Sequence, residues 1–371
     1  MTESWEDLNL SMNVLRGIYS AGFEKPSPIQ RQAITPVLEG KDVLAQAQSG
    51  TGKTGAFCIG TMERCTPEKV AQALILSPTR ELAMQTQAVF DQLCKQTGLK
   101  TKLLIGGKAV DRDSGDDQVL IGCPGRVLDM MGRRLFDPST LKIVVLDEAD
   151  EILSQGFQPQ LKSIFMQLSP EAQIVMFTAT VSQELEDVSS KIMRDPLKIL
   201  VKQEMMTLEG ISQFFVSFEN DHDKTLALKD LYEGISVSQS IIYCNSVKRV
   251  MDLYQDMKKS NFPVCCIHSE MEREDRNTAY EEFKSGRFRV MISSNVTARG
   301  LDVQQVSVVV NYDIPKDVHT YLHRIGRSGR WGRKGVAINF VTKYDMEKLR
   351  FIEKYYATEI KELPAKFDEF L

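Results

Sequence analysis

The stretch Lys142–Phe157, KIVVLDEADEILSQGF, decides the fold, because an apolar run of strand length ends abruptly in carboxylates. The apolar run is typical of a buried strand. Asp147, Glu148 and Asp150 follow it immediately. Taken alone, a charge cluster at a strand end is most often a solvated loop, so its meaning depends on the rest of the chain.

Apolar runs of similar length recur along the whole chain, with helix-compatible segments between them. In the first half they span residues 42–46, 73–77, 101–105, 118–121, 142–146 and 173–178. In the second half they span residues 214–218, 240–243, 264–267, 290–293, 306–310 and 336–340. Strands that alternate with helices predict a mostly parallel sheet covered on both faces. We therefore predict an α/β fold with two tandem domains of this kind.

The strand rhythm is interrupted between Lys198 and Ser212, where charged and flexible side chains prevail. A length of 371 residues also fits two domains of ordinary size. We predict an N-terminal domain of residues 1–203, a hinge of residues 204–210 and a C-terminal domain of residues 211–371. A terminal helix that packs on the second sheet is predicted from apolar residues at helical spacing. These residues are Met346, Leu349, Ile352, Tyr356 and Ile360.

The composition argues against several classes of protein. With 46 basic and 50 acidic residues the net charge is −4, so we expect no large basic face, although a local one stays open. No apolar run approaches the ~20 residues of a membrane span, and the start lacks the pattern of a secretory signal. The 7 cysteines have no C-x-x-C spacing, which disfavours zinc and disulfides. We expect a cytoplasmic protein, with the nucleus as the alternative, that binds no membrane.

The sequence AQAQSGTGKT, Ala45–Thr54, follows the first strand and opens a helix. Backbone N–H groups at a helix N-terminus suit a polyphosphate, and glycines let the backbone approach it. Lys53 would contact the outer phosphates and Thr54 would bind Mg²⁺, although Ala47 stands where the first glycine of the motif is usual. The residues predicted to bind the polyphosphate of a nucleotide here are Ser49, Gly50, Thr51, Gly52, Lys53 and Thr54.

This loop gives the carboxylates after the 142–146 strand a chemical meaning. In P-loop nucleotide enzymes a second strand ends in an aspartate that holds the metal, and a carboxylate nearby polarises the attacking water. We predict that Asp147 binds Mg²⁺ together with Thr54. Glu148 is the predicted general base.

Adenine selectivity is predicted from Phe23 and Gln30 in the stretch GFEKPSPIQ. A glutamine can bond the N6 and N7 edge of adenine, and an aromatic ring can stack on the base. Without the phosphate loop, a turn with one buried phenylalanine would be the default interpretation.

In the second half, the stretch Tyr321–Gly335 carries His323, Arg327 and Arg330, which we predict to be catalytic. Arginines aimed at a transferred phosphoryl group can raise the rate about a thousandfold or more. If these arginines come from the second domain, hydrolysis requires domain closure. The alternative is a solvated basic loop; interleaved glycines such as Gly326 argue against it, because they permit a tight backbone.

The stretch VTARGLDV, Val296–Val303, follows a strand of the second sheet. Loops at strand ends are where ligands bind in open α/β sheets. Gly300 and Asp302 are therefore predicted nucleotide contacts, with Asp302 accepting from a ribose hydroxyl.

With these motifs in order, the chain resembles the DEAD-box ATP-dependent RNA helicases of superfamily two along essentially its whole length. The sequences of these motifs are most similar to those of the translation initiation factor 4A subfamily, and the exon-junction and ribosome-assembly relatives are the alternative. The motifs that carry the resemblance are Phe23 and Gln30, residues 47–54, 78–83, 106–107, 124–126, 147–150, 178–180, 241–245, 299–302 and 323–330.

The resemblance implies two RecA-like domains that close over ATP and single-stranded RNA, in a monomer whose closure a protein scaffold or regulator promotes. It also implies that Thr178 and Thr180 join the ATP site to the RNA site. The implied RNA-binding residues are Arg80, Gly107, Gly125, Arg126, Arg276 and Ser294.

Four positions depart from the family pattern. Thr178 stands for the usual serine and keeps its hydroxyl. Cys123 stands for a threonine, which puts one hydroxyl contact to RNA in doubt. Asn295 replaces a common aspartate, and Arg273 replaces a glutamine.

Three functions from different classes remain open at this point. The first is an RNA-stimulated ATPase that binds single-stranded RNA without sequence preference and unwinds short duplexes, in translation initiation. The second is an ATP-gated RNA clamp of the exon-junction or ribosome-assembly type. The third is a P-loop ATPase that moves DNA or protein.

Overall fold

A computed structural model of the chain describes residues 4–47, 50–107, 116–200, 211–234, 239–295, 306–328 and 335–364. The chain divides into two compact units, Met1–Val201 and Lys202–Leu371. The predicted hinge, residues 204–210, lies outside the described residues.

Unit 1 is built on a sheet of seven strands, all paired in parallel in the order β3-β4-β2-β5-β6-β1-β7. Its strands are β1 (Val43–Gln46), β2 (Ala73–Leu76), β3 (Thr101–Leu104), β4 (Val119–Gly122), β5 (Ile143–Asp147), β6 (Gln173–Thr178) and β7 (Leu197–Ile199). Its helices are α1 (Met12–Ser20), α2 (Pro28–Leu38), α3 (Lys53–Arg64), α4 (Arg80–Leu93), α5 (Pro124–Gly132), α6 (Ala149–Ser154), α7 (Gln158–Phe165) and α8 (Gln183–Ile192).

The central strand β5 shows why this sheet is covered on both faces. All five of its residues are buried. Ile143 and Val145 pack in one apolar cluster, and Val144 and Leu146 pack in another. Because successive side chains of a strand point to opposite faces, a continuous apolar run needs a layer of helices on each side.

Unit 2 repeats this plan with a second sheet of seven parallel strands in the order β10-β11-β9-β12-β13-β8-β14. Its strands are β8 (Ile211–Phe218), β9 (Gln239–Tyr243), β10 (Val264–Ile267), β11 (Val290–Ser293), β12 (Val306–Asn311), β13 (Gly335–Thr342) and β14 (Lys361–Glu362). Its helices are α9 (Asp221–Gly234), α10 (Val247–Lys259), α11 (Arg273–Lys284), α12 (Val318–Ile325) and α13 (Met346–Tyr356). Within the described part of the chain, none of the helices combines the length and apolarity that crossing a bilayer requires.

The predicted α/β fold with two parallel sheets is confirmed, and each predicted apolar run overlaps a strand. Two edge strands escaped prediction, β7 and β14, which are only 3 and 2 residues long. The terminal helix was predicted to include Ile360, but α13 ends at Tyr356 because Ala357 adopts a left-handed φ of 46°. Ile360 is nevertheless buried.

Candidate nucleotide site and nucleic-acid interface

The loop between β1 and α3 has the backbone that its glycines predict. Gly50 and Gly52 have φ values of 82° and 98°, in the left-handed region that favours glycine. A Cβ at Gly52 would also lie 2.8 Å from Nε2 of Gln30 and 2.9 Å from Oγ of Ser27. Position 52 therefore requires glycine, because its φ is left-handed and because there is no room for a side chain. Thr51 lies between these glycines, and Ser49 lies outside the described residues.

Two buried charged groups beside this loop lack hydrogen-bond partners among the described residues. Lys53, the first residue of α3, is 6% exposed, and its Nζ has no partner. Glu148 is 5% exposed, and its Oε2 has none either. Buried polar atoms of native proteins are nearly always paired, so each such exception calls for an explanation. A ligand with phosphate oxygens and an ordered water would satisfy both atoms.

Asp147 ends β5 and Glu148 follows it, in an unusual electrostatic and backbone setting. Burial, and secondly the neighbouring Glu148, raises the pKa of Asp147 to about 7, while Lys53 opposes the shift. Glu148 has a left-handed φ of 49°, which costs energy for a non-glycine residue and is frequent at functional sites. The donor set fits Mg²⁺, because this ion is usually held by one or two carboxylates together with substrate phosphates and water. Thr54, the predicted second ligand, is half-buried in the first turn of α3.

The strand ends of β1, β5 and β6 are tied together by hydrogen bonds. Ala47 donates its backbone N–H to the Thr178 carbonyl at 3.0 Å. Thr178 donates its hydroxyl to the Thr180 carbonyl at 2.7 Å. Thr180 in turn donates its amide and hydroxyl to Asp150 Oδ2, at 3.2 and 2.7 Å. The phosphate loop, the carboxylate segment and the Thr-Ala-Thr segment therefore form one bonded unit.

The side chain of Gln30 is buried against the phosphate loop. Its Nε2 donates to the Gly52 carbonyl at 3.1 Å, and its Oε1 accepts from the Ser27 amide at 2.7 Å. A Cβ at Gly55 would lie 2.7 Å from Nε2 of Gln30 and 3.2 Å from Cε1 of Phe23. Nε2 thus bonds the loop and Oε1 completes the cap of α2. Each atom keeps a further proton or lone pair with which adenine could be bonded.

The predicted RNA-binding residues of unit 1 lie at the same edge of the sheet as the nucleotide site. They follow β2, β3 and β4, which are neighbours in the sheet, whereas the nucleotide residues follow β1 and β5. Because all the strands are parallel, their carboxyl ends share one edge. The sheet order therefore sets the two groups of residues side by side.

Arg80 and Gly107 meet at the ends of β2 and β3. Arg80 is the first residue of α4, and a Cβ at Gly106 would lie 2.9 Å from its Nη2. Gly107 has a left-handed φ of 82°. The guanidinium thus packs closely against a bare backbone segment, a geometry that exposes peptide groups to a ligand.

Gly125 and Arg126 lie in the first turn of α5, after β4. A Cβ at Gly125 would meet no atom within 4 Å, and Arg126 pairs with Asp129 at 3.1 Å. Cys123 precedes this helix and makes no side-chain capping bond. Burial raises the pKa of the Cys123 thiol to about 12, and Arg80 opposes the shift. The thiol is therefore a neutral group where a hydroxyl would cap α5.

In unit 2, helix α12 carries His323 and Arg324, and Arg327 follows its end; all three are buried. Gly326 has an ordinary φ of −63°, but a Cβ there would lie 2.9 Å from the Leu322 carbonyl oxygen, so the backbone is tight for lack of space and not because of an unusual φ. The predicted site residues Arg330, Gly300 and Asp302 lie outside the described residues, as does the side chain of Arg273.

Arg276 and Ser294, the implied RNA contacts of unit 2, lie near the ends of β10 and β11. Arg276 donates from Nη2 to the carbonyls of Ser269 and Met271, at 3.1 and 3.2 Å. Ser294 is buried, and its hydroxyl has no hydrogen-bond partner among the described residues. The loop after β10 thus orders the arginine, and the serine keeps a hydroxyl available to a ligand.

Sequence reasoning missed two features of these sites. Gly55 was not singled out, although a glycine in the first turn of a helix is unfavourable and signals close packing. The contact between Asn295 and Arg324 was also missed, at 2.5 and 3.0 Å. The departure from aspartate at position 295 was its only sequence signal.

Comparisons with known proteins identify the family of this chain. Residues 27–188 match the DEAD/DEAH box helicase family, and residues 223–332 match the helicase conserved C-terminal domain. An ATP-dependent RNA helicase eIF4A of Kluyveromyces lactis is 48% identical over 99% of this chain and 94% of its own length. The eukaryotic initiation factor 4A of Caenorhabditis elegans is 46% identical over 100% of this chain and 94% of its own length.

Solved structures of DEAD-box proteins match this fold over nearly the whole chain. Saccharomyces cerevisiae Dbp5 bound to RNA and ADP BeF3 is 37% identical, with a TM-score of 0.94 over 99% of this chain and 97% of that one. A DEAD box protein from the hyperthermophile Methanococcus jannaschii is 32% identical, with a TM-score of 0.57 over 98% of this chain and 99% of that one. With its two parallel sheets of the RecA-like kind, the chain belongs to the DEAD/DEAH box helicase family.

Proposed function

We propose that this protein is an ATP-dependent RNA helicase whose ATP hydrolysis is stimulated by single-stranded RNA. The observation that carries the proposal is the pair of buried, unpartnered groups beside the glycine loop, Lys53 Nζ and Glu148 Oε2. Lys53 follows β1 and Glu148 follows β5, the two strands on either side of β6. A positive and a negative group without partners among the described residues at these strand ends suit a polyphosphate and the water that attacks it.

In this mechanism the chain binds the polyphosphate and activates water. Lys53 bonds the outer phosphates, and the amides after Gly52 point at them from the start of α3. Asp147, with Thr54, would hold Mg²⁺, which neutralises charge on the phosphate oxygens when bound. Glu148 accepts the proton of the attacking water. Phe23 and Gln30 select adenine, and His323, Arg327 and Arg330 stabilise the transferred phosphoryl group.

The RNA would lie along the adjoining part of the unit 1 edge. Arg80 and Arg126 offer charge to phosphates, and Gly107 and Gly125 offer open backbone. Such contacts carry little sequence information, so we propose binding without sequence preference. Arg276 and Ser294 would contribute from unit 2, and discrimination from DNA would rest on the 2′-hydroxyl.

Translation initiation is the cellular process we propose, because near full-length relatives are initiation factors 4A. This role implies action in the cytoplasm. Dbp5, a structural relative, has been solved with the proteins Nup159 and Gle1, which supports a protein regulator for this chain as well. We propose a monomer that unwinds short duplexes by local strand separation.

The test is steady-state ATP hydrolysis by the whole chain with no nucleic acid, with single-stranded RNA and with DNA of the same sequence. Stimulation by RNA alone is expected, and the Lys53→Ala variant should lose it. Equal rates in the three conditions would reject the proposal. A long-lived RNA complex without turnover would favour the clamp instead.

A further inference from the structure

A continuous chain of buried hydrogen bonds crosses unit 2 beneath α12. Arg324 Nη1 donates to Asn311 at 3.2 Å, Asn311 to Asn339 at 2.9 Å, and Asn339 to the Tyr321 hydroxyl at 3.2 Å. The Tyr321 hydroxyl donates to Gln213 at 2.8 Å. Gln213 then donates to Thr358, beyond the end of α13, at 3.0 Å.

Every bond in this chain donates in the same direction, from the guanidinium towards Thr358. Chains of aligned hydrogen bonds polarise one another, and the low dielectric of a protein interior strengthens each of them. Asn311, Asn339, Tyr321 and Arg324 are fully buried. Breaking one link would leave a buried polar group unpaired, which costs about 1–3 kcal/mol.

The Arg324 end of this chain gathers the ends of three strands. Its guanidinium also bonds Asn245 after β9, Asn295 after β11 and the Asp313 carbonyl after β12, at 2.7, 2.5 and 2.7 Å. It lies over the ring of Tyr243 at 5.2 Å. Every acceptor in these bonds is a neutral oxygen. The guanidinium is therefore held by directed hydrogen bonds and not by an ion pair with a described carboxylate.

Helix α12 is therefore held on the sheet by two polar anchors. Tyr321 and Arg324 are three residues apart and share one face of the helix. Both are bonded to the Asn311–Asn339 pair, which lies directly across β12 and β13. Rotation of the helix would break both anchors at once. His323 lies beside Arg324, and the Arg327 amide donates to the Arg324 carbonyl at 3.3 Å.

We propose that Tyr321, Asn339 and Asn311 are positioning residues for ATP hydrolysis, because they fix the orientation of α12, of the His323 side chain that it carries and of Arg327 just after its end. This inference rests on the proposed function. It assigns to the interior of unit 2 a part of the catalytic geometry that touches no substrate.

The first test is Tyr321→Phe, which removes one hydroxyl from the middle of the chain. Its control is Tyr232→Phe, because the Tyr232 hydroxyl of α9 also makes a 2.8 Å bond to a side chain, Ser240, in the same unit. RNA-stimulated kcat should fall about tenfold in Tyr321→Phe, since small misplacements of catalytic groups cost up to about a hundredfold. KM for ATP should change less than kcat, and the control should keep both constants.

Gln213→Met removes the acceptor of the same bond and serves if the first variant folds poorly. The effects of Tyr321→Phe and Gln213→Met on kcat should not add fully, because both variants break the same Tyr321–Gln213 bond. Amide hydrogen exchange of residues 318–325 should be faster in both variants and unchanged in Tyr232→Phe. Wild-type kcat together with unchanged exchange of α12 would overturn the proposal.

Two outcomes separate this proposal from the proposed function. If the wild-type protein shows no RNA-stimulated hydrolysis, the proposed function is contradicted. Hydrogen exchange alone then decides whether the buried hydrogen bonds from Arg324 to Thr358 position α12. A wild-type chain with normal hydrolysis, and variants that are less stable but keep kcat, would leave the function intact and reject the positioning role.

Discussion

Thr180 donates both its backbone amide and its hydroxyl to one carboxylate oxygen of Asp150, at 3.2 and 2.7 Å. This bond pair joins the segment after β6 to the acidic segment after β5. Since Glu148 lies two residues before Asp150, any shift of the Thr-Ala-Thr segment is transmitted to the predicted base.

Thr180→Val should therefore uncouple RNA from hydrolysis. Valine keeps the shape of threonine and removes the shorter of the two bonds. We expect the affinity for ATP to stay within about twofold of wild type and RNA stimulation to fall about tenfold. A tenfold loss in rate corresponds to a rise of about 1.4 kcal/mol in the activation free energy. The control is Thr178→Ser, which keeps a hydroxyl for the Thr180 carbonyl and should behave as wild type. Full RNA stimulation in Thr180→Val would contradict the coupling role.

Glu148→Gln should bind ATP and RNA but lose hydrolysis. The amide has the size of the carboxylate and cannot take a proton from water, and removal of a general base costs about 10²–10⁴ in rate. Single-turnover ATP hydrolysis measures the loss, and equilibrium RNA binding with ATP checks the rest. Glu151→Gln is the matched control, because this carboxylate on α6 is also buried and bonds Ser154 and Gln155 at 3.0 and 2.6 Å. Retained turnover in Glu148→Gln would overturn the assignment.

Cys123→Thr should stabilise unit 1. The backbone of Cys123, with φ −95° and ψ 145°, suits an N-cap residue, yet its thiol makes no capping bond to α5. A threonine cap contributes about 0.5–2 kcal/mol, and urea unfolding would detect it. Cys123→Val has the same branched shape without the hydroxyl and should show no gain. Equal stabilities of the two variants would contradict the capping argument.

Asn295→Asp should stabilise unit 2. Burial lowers the pKa of Arg324 to about 10, and the described residues give this guanidinium only neutral acceptors. A carboxylate in place of the amide would add up to about 1.5–3 kcal/mol, the range for hydrogen bonds to charged groups. Thermal unfolding measures the shift, and Asn295→Ala should move it the other way. An unchanged or lower midpoint in Asn295→Asp would contradict this account.

His268 should make the folded chain sensitive to acid. Burial lowers the pKa of His268 below its usual 6.5, and Arg276 adds to the shift while Glu270 opposes it. The unfolded chain then binds the proton more readily, so stability falls as the pH drops below about 6.5. Between about pH 7.5 and about pH 5.5, His268→Gln should lose less of its thermal midpoint than wild type. Parallel losses in the two proteins would argue against a buried neutral imidazole.

Periodicity predicted the two sheets well because buried parallel strands are continuous apolar runs. Strands β7 and β14 could not be predicted in this way, since they are short, lie at sheet edges and expose most of their residues. Their position depends on pairing with β1 and β8 through backbone groups, which carry no side-chain signal.

Motif spacing likewise located the residues around Lys53 and Glu148, because a phosphate loop imposes a fixed backbone. It could not reveal that both amide atoms of Gln30 already bond Ser27 and Gly52. Nor could it reveal the row of buried hydrogen bonds from Arg324 to Thr358, because the residues that form it lie in five different elements or loops. Such contacts arise only when distant strands are brought into register.

The bond from Ala47 to the Thr178 carbonyl has a consequence for how this protein can change. The loop that would hold the triphosphate and the segment that would respond to RNA share one peptide contact, at 3.0 Å. A substitution that moves either segment alters both properties together, so natural selection on nucleotide affinity is also selection on the response to RNA.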